Sequence, residues 1–84
     1  MEYLYTARFL RSLKKQEEEV QKDVVSAVKL FEKGTNDATL NFHKLHGKFS
    51  KYYAFSANFT HRIIIKKEKG FVYYVDVGTH DIYK

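Results

Sequence analysis

The sequence predicts an α+β domain of order β-α-α-β-β-β, an antiparallel sheet with two helices packed on one face. Three observations carry this. An aromatic alternation opens the chain, apolar residues then recur at helical spacing as far as Phe31, and beyond residue 51 the period drops to two. Residues 1–84 form one domain, with no room for a second.

Glu2-Tyr3-Leu4-Tyr5 alternates polar and apolar and reads as a short strand. Thr6 is a suitable N-cap for a helix from Ala7 to about Lys15, with Phe9, Leu10 and Leu13 on one face. Glu17-Glu18-Glu19 then places three carboxylates against the positive end of a second helix dipole. Val20, Val24, Ala27, Val28 and Phe31 give that helix one apolar stripe, and Gly34 stops it. The pattern fits two helices in a hairpin, with one long bent helix as the alternative. Residues 35–50 lack a period and read as an ordered loop with a short turn around Leu40–Leu45. Tyr52–Ala57, His61–Lys67 and Phe71–Val77 are β-branched and aromatic, and their separators are short enough for hairpin turns. The helices should then cover one sheet face and leave the other open to a ligand.

Charge is segregated along this order. Residues 1–40 hold seven Lys/Arg and seven Asp/Glu, whereas residues 41–84 hold eight and three, the whole formal +5. All four histidines and ten of the fourteen Phe and Tyr lie in that second half, which suits contact with a polyanion. Absence of cysteine fits a reducing compartment. The first ten residues carry an early Glu and no apolar run of signal-peptide type, and stretches such as Ile63-Ile64-Ile65 are far short of a membrane span. A cytoplasmic protein is expected, with no membrane partner.

Candidate chemistry concentrates in three places. Strand alternation puts Ile63 and Ile65 on one side and Arg62 on the other, so isoleucines packed on the helices leave Arg62 on the open face, able to hold a phosphate. His80, after Gly78-Thr79, is a proton donor or acceptor for neutral pH, with Asp81 and Tyr83 just beyond it. The segment from His43 to Lys51 puts Lys44, Lys48 and Lys51 with His43 and His46 in nine residues, as RNA-binding lysines beside an imidazole or as a solvated basic loop. His43-x-x-His46 without cysteine or a nearby acid pair is a poor metal set, so no metal and no cofactor are expected. Tyr52, Tyr53, Phe55, Tyr73 and Tyr74 are read mostly as packing, with one or two free to stack bases. The missing Gly-rich phosphate loop, Gly-x-Ser-x-Gly and paired carboxylates disfavour nucleotide hydrolysis, serine catalysis and two-metal chemistry.

With the element order, Leu45-His46-Gly47 leading to Tyr52-Tyr53-Ala54-Phe55-Ser56, Arg62-Ile63-Ile64, and Val77 to Tyr83 together resemble the RelE/ParE toxin superfamily, and the Gly-Thr-His ending is most similar to its YafQ-like branch. The resemblance implies a toxin of a type II toxin–antitoxin module. Such proteins enter the ribosome, cut messenger RNA without metal or cofactor, and are neutralised by a cognate antitoxin. It implies His80 as general acid, His43 as an upstream active-site histidine, Arg62 as phosphate holder, and Tyr83 as the C-terminal aromatic. Tyr53 and Phe55 fall near where RelE carries catalytic lysines, and Ser56 and Thr60 stand about where the YafQ-like branch has a histidine and an aspartate. The general base therefore stays open, with His43 a candidate. Two alternatives remain: a ParE-like gyrase inhibitor acting by binding, and a decayed toxin that only binds antitoxin.

Overall fold

The structure, a computed structural model, describes residues 1–34 and 38–79. Its elements are β1 (Glu2–Tyr5), α1 (Ala7–Lys14), α2 (Glu18–Glu32), β2 (His43–Lys44), β3 (Tyr52–Ser56), β4 (His61–Glu68) and β5 (Phe71–Thr79), with 3-10 turns at Ala38–Leu40 and Gly47–Phe49. They build one five-stranded sheet in the order β1-β5-β4-β3-β2.

Local chemistry sets the helix ends. The Thr6 hydroxyl accepts from the Phe9 amide at 3.1 Å and donates to the Tyr74 carbonyl at 2.7 Å, so one side chain both starts α1 and ties it to β5. Thr6→Ala should cost about 1–2 kcal/mol, seen as a lower urea midpoint that Thr6→Ser restores. Glu17 occupies the N-cap of α2, Glu18 and Glu19 fill its first turn, and Gly34 closes it at φ 73°. The break between Lys14 and Glu18 makes two helices rather than one bent one.

One sheet face carries the helices. Phe55, Ile63, Ile65, Val72, Tyr74 and Val77 meet Phe9, Val24, Ala27 and Val28 in a single core. Each Val, Ile or Phe side chain buried there contributes about 1.5–3 kcal/mol. The opposite face, here called the bare face, holds a smaller cluster of Leu45, Ala54 and Ile64, flanked by Phe49, Tyr52 and Val75. Val75 is the extra residue of a bulge: Ile64 pairs with Asp76 and Ile65 with Tyr74. The bulge lets Tyr74 and Val77 both join the helix-side core although three residues apart.

The α+β class and the helix-covered face hold, while details differ. The sheet is mixed, because β1 pairs parallel with β5; a parallel partner needs a long crossover, and here everything between residues 5 and 71 supplies it. The loop read at 35–50 contains β2, a two-residue edge strand pairing His43 with Ala54 and Lys44 with Tyr53, too short to show a period. Leu10 is exposed, unlike its neighbour Phe9. It opens instead on a groove between the helices, lined by Tyr5, Phe9, Leu13, Val24 and Val25.

Tyr74 and Tyr5 donate to the same Glu32 oxygen, at 2.6 and 2.9 Å. Burial, then the bond to Glu32, pushes the Tyr5 phenol up to about 12 and the Tyr74 phenol further in the same direction. Their folded pKa values exceed the unfolded value of about 10, so the stabilisation is complete below pH 10 and is lost as pH climbs through 12. Melting points taken from pH 8 to 12 should fall above pH 10, and less steeply in Tyr74→Phe.

Candidate active site

Register fixes what stands together on the bare face. His43, Ala54, Ile64 and Asp76 form one row across β2 to β5, and Ser56, Arg62 and Gly78 form the next row on the same side. Strand geometry puts the His43 and Arg62 backbones about 12 Å apart, a span that an intervening group can bridge.

His43 is exposed, and its Nδ1 lies 2.7 Å from the Asn41 carbonyl. A carbonyl only accepts, so Nδ1 carries the proton, and in the Nδ1–H tautomer the lone pair is on Nε2. Asn41 sits at φ 47°, the left-handed region that asparagine tolerates, and this aims its carbonyl at the ring. Arg62 is committed differently. Its Nη1 donates to the carbonyls of Asn58, Phe59 and His61, at 3.0, 3.3 and 3.1 Å, clamping the β3–β4 turn. Among the described residues its Nε and Nη2 have no partner, which leaves one edge of the guanidinium for an anion. His80 and Tyr83, with Asp81, lie outside the described residues.

The basic segment divides. Lys44 alternates with His43 and so points to the other side of the sheet. There it joins Lys67 beside Tyr53, in a depression at the sheet edge that Lys51 and, from the bare face, Lys66 also line. The Lys67 ammonium lies 4.8 Å from the Phe42 ring centre and 5.1 Å from that of Tyr53. Lys66 pairs with Glu68 at 2.8 Å, and this bond raises its pKa. Lys48 lies over Phe49 instead, and His46 precedes the 3-10 turn without capping it by its side chain. The lysine run is therefore two groups on different surfaces.

One polar group had no sequence signal. Asp76 is buried and receives Ser12 Oγ at 2.6 Å, Arg8 Nε at 3.1 Å and Nη2 at 3.0 Å, and the Val77 amide at 2.9 Å. Arg8 and Asp76 then line a cavity of about 90 Å³ against Leu45, Tyr52 and Ile64 on the bare face. Only the bulge at Val75 brings Asp76 to this side, and a strict period of two does not foretell it.

Among the described residues, no three of His, Cys, Asp and Glu gather as a metal set, and no helix is long and apolar enough to cross a membrane. No protein-family model matches the sequence, and no curated protein matches it significantly. Solved structures do match. YafQ from E. coli superposes at TM-score 0.82 and 15% identity, over 96% of this chain and 94% of that one. A chain of the RelB–RelE antitoxin–toxin complex from Methanococcus jannaschii does so at 0.74 and 18%, over 95% and 94%. The YoeB/ParE toxin from Agrobacterium tumefaciens gives 0.74 and 10%, over 95% and 99%. TM-scores of 0.74 and above over nearly the whole of each chain show that this chain has the fold of the RelE/ParE toxin superfamily.

Proposed function

We propose that the protein is the toxin of a type II toxin–antitoxin module and acts as a ribosome-dependent messenger endoribonuclease. The observation that carries this is the pairing of the Nε2 lone pair on His43 with a half-free Arg62 guanidinium in adjacent rows of the bare face. The ribose 2′-OH attacks the adjacent phosphorus, and His43 Nε2 takes the 2′ proton. The P–O5′ bond breaks, leaving a 2′,3′-cyclic phosphate, and His80 returns a proton to the 5′ oxygen. Arg62, through Nε and Nη2, holds the non-bridging oxygens. Tyr83 orients the leaving nucleoside, while Lys48 and His46 approach the same strand from the loop that borders the bare face. Neither metal nor cofactor enters the reaction.

The test is cleavage of a ribosome-bound message by purified protein with 1,10-phenanthroline, which removes transition metals and leaves the magnesium that the ribosome needs. Cutting that requires the ribosome and persists with the chelator is expected. A folded preparation that leaves the message intact overturns the nuclease, and gyrase supercoiling then tests the alternative of inhibition by binding.

The cognate antitoxin binds elsewhere, through an amphipathic helix in the groove between α1 and α2, where Tyr5, Leu10 and Val25 are exposed. Leu10→Asp, at a site with little burial to lose, should weaken that complex by about 30-fold or more in a titration of purified partners.

A further inference from the structure

Phe59 is 99% exposed, at the tip of the β3–β4 turn. An aromatic fully in water usually sits on a loose loop, but this turn is braced from every side. The Asn58 side-chain oxygen accepts from the amides of Thr60 and His61, at 2.9 and 2.8 Å, and from the Thr60 hydroxyl at 3.2 Å. Its amide donates to Asp23 on α2 at 2.9 Å, anchoring the turn to the helix layer. Arg62 Nη1 holds three carbonyls of the same turn from within, and the Thr60 hydroxyl lies 2.8 Å from His61 Nδ1. The backbone on both sides of Phe59 is thus fixed before any partner arrives. Fixing it in advance removes much of the ordering entropy that binding would otherwise cost.

The surroundings narrow the partner. Among the described residues Arg62 and His61 are the neighbouring basic groups, and the acid nearby, Asp23, is tied to Asn58. Beside the ring runs a cleft of about 520 Å³, whose walls include Asp23 and Leu30 of α2, Asn41, Ser56, Asn58 and Arg62. It combines apolar walls, amide and hydroxyl groups, the Arg62 cation and one carboxylate, Asp23, that already accepts from Asn58; a nucleobase can meet the first three and its phosphate the cation. We propose that Phe59 is a preformed stacking platform for an RNA base, presented by the turn that Arg62 clamps. Phosphate capture by the free edge of Arg62 and base stacking by Phe59 are then coupled through one side chain. This rests on the ribonuclease reading only for the choice of RNA as ligand.

The chain has no tryptophan, so Phe59→Trp creates a unique fluorophore at the tip. The probe is a 12-nucleotide 2′-O-methyl RNA, which lacks the attacking hydroxyl and cannot be cut. Saturable quenching of F59W emission by this probe is expected, with wild-type-like affinity. Phe59→Ala should bind the probe about 5- to 150-fold more weakly while melting like wild type. Equal affinity of F59A and wild type, with F59W emission unmoved by RNA, overturns the platform. So does a blue shift that grows with protein concentration alone, which assigns the tip to self-association. Quenching in F59W alongside a failed message-cutting assay removes the nuclease and keeps the platform; cutting without quenching does the reverse.

Discussion

His80→Gln is expected to slow message cutting by about 10²–10⁴-fold, the range for losing one general acid. Glutamine keeps the size and the hydrogen-bonding capacity of the ring but carries no transferable proton at neutral pH. Its melting point is measured alongside, and a match to wild type separates a lost acid from a lost fold. The comparison is single-turnover cutting of the same ribosome-bound message. A mutant within a few-fold of wild type removes His80 from the reaction. His43→Gln supplies the companion measurement. If the two act on one transition state, the double variant is scarcely slower than the worse single one, as residues working as a unit are strongly non-additive.

Phe55→Ala is expected to lose about 3–5 kcal/mol. Phe55 is wholly buried in the main core, and its ring stacks on Phe31 of α2 at 4.7 Å. For a chain of this length total stability is about 4–13 kcal/mol, so the loss takes about a quarter or more of it. The melting point should fall by about 15 °C or more, or the protein should be unfolded at 37 °C. Phe55→Leu, which keeps most of the volume, should lose under about 1.5 kcal/mol. The damage would reach the site as well. β3 is the strand on which β2 pairs, so loosening it releases His43 from its row. Guanidinium denaturation curves of the two variants decide this.

Much of the architecture was legible because single residues announced it. Thr6, the Glu17 to Glu19 run and Gly34 mark helix ends by local hydrogen bonding and charge, which act within a few residues. Alternation placed Ile63 and Ile65 against the helices and Ile64 on the other side. Features set by distant partners were not legible. The parallel edge of β1 depends on where β5 arrives, and the Val75 bulge depends on β4 across the ladder. The site shows the same division. Alternation put Arg62 on the open face, but that His43 shares it depends on β2, a strand inside the segment read as loop; the Arg62 clamp on three carbonyls and the Arg8–Asp76–Ser12 contact likewise join groups with no common motif. The nine-residue basic run looked like one surface, yet alternation within β2 already separates Lys44 from His43.

The parallel seat of β1 beside β5 sets a clock on synthesis. Glu2 waits for Phe71, and α1, though it meets α2 earlier, lies against the same strand, so β1 has no sheet partner until β5 is made. At about 5–20 residues per second, that wait is roughly 3–14 s. Closing so long a loop also slows folding once the partner exists, since its entropy is spent before the contact forms. The nascent chain therefore carries its two helices without a completed sheet until β5 has been made.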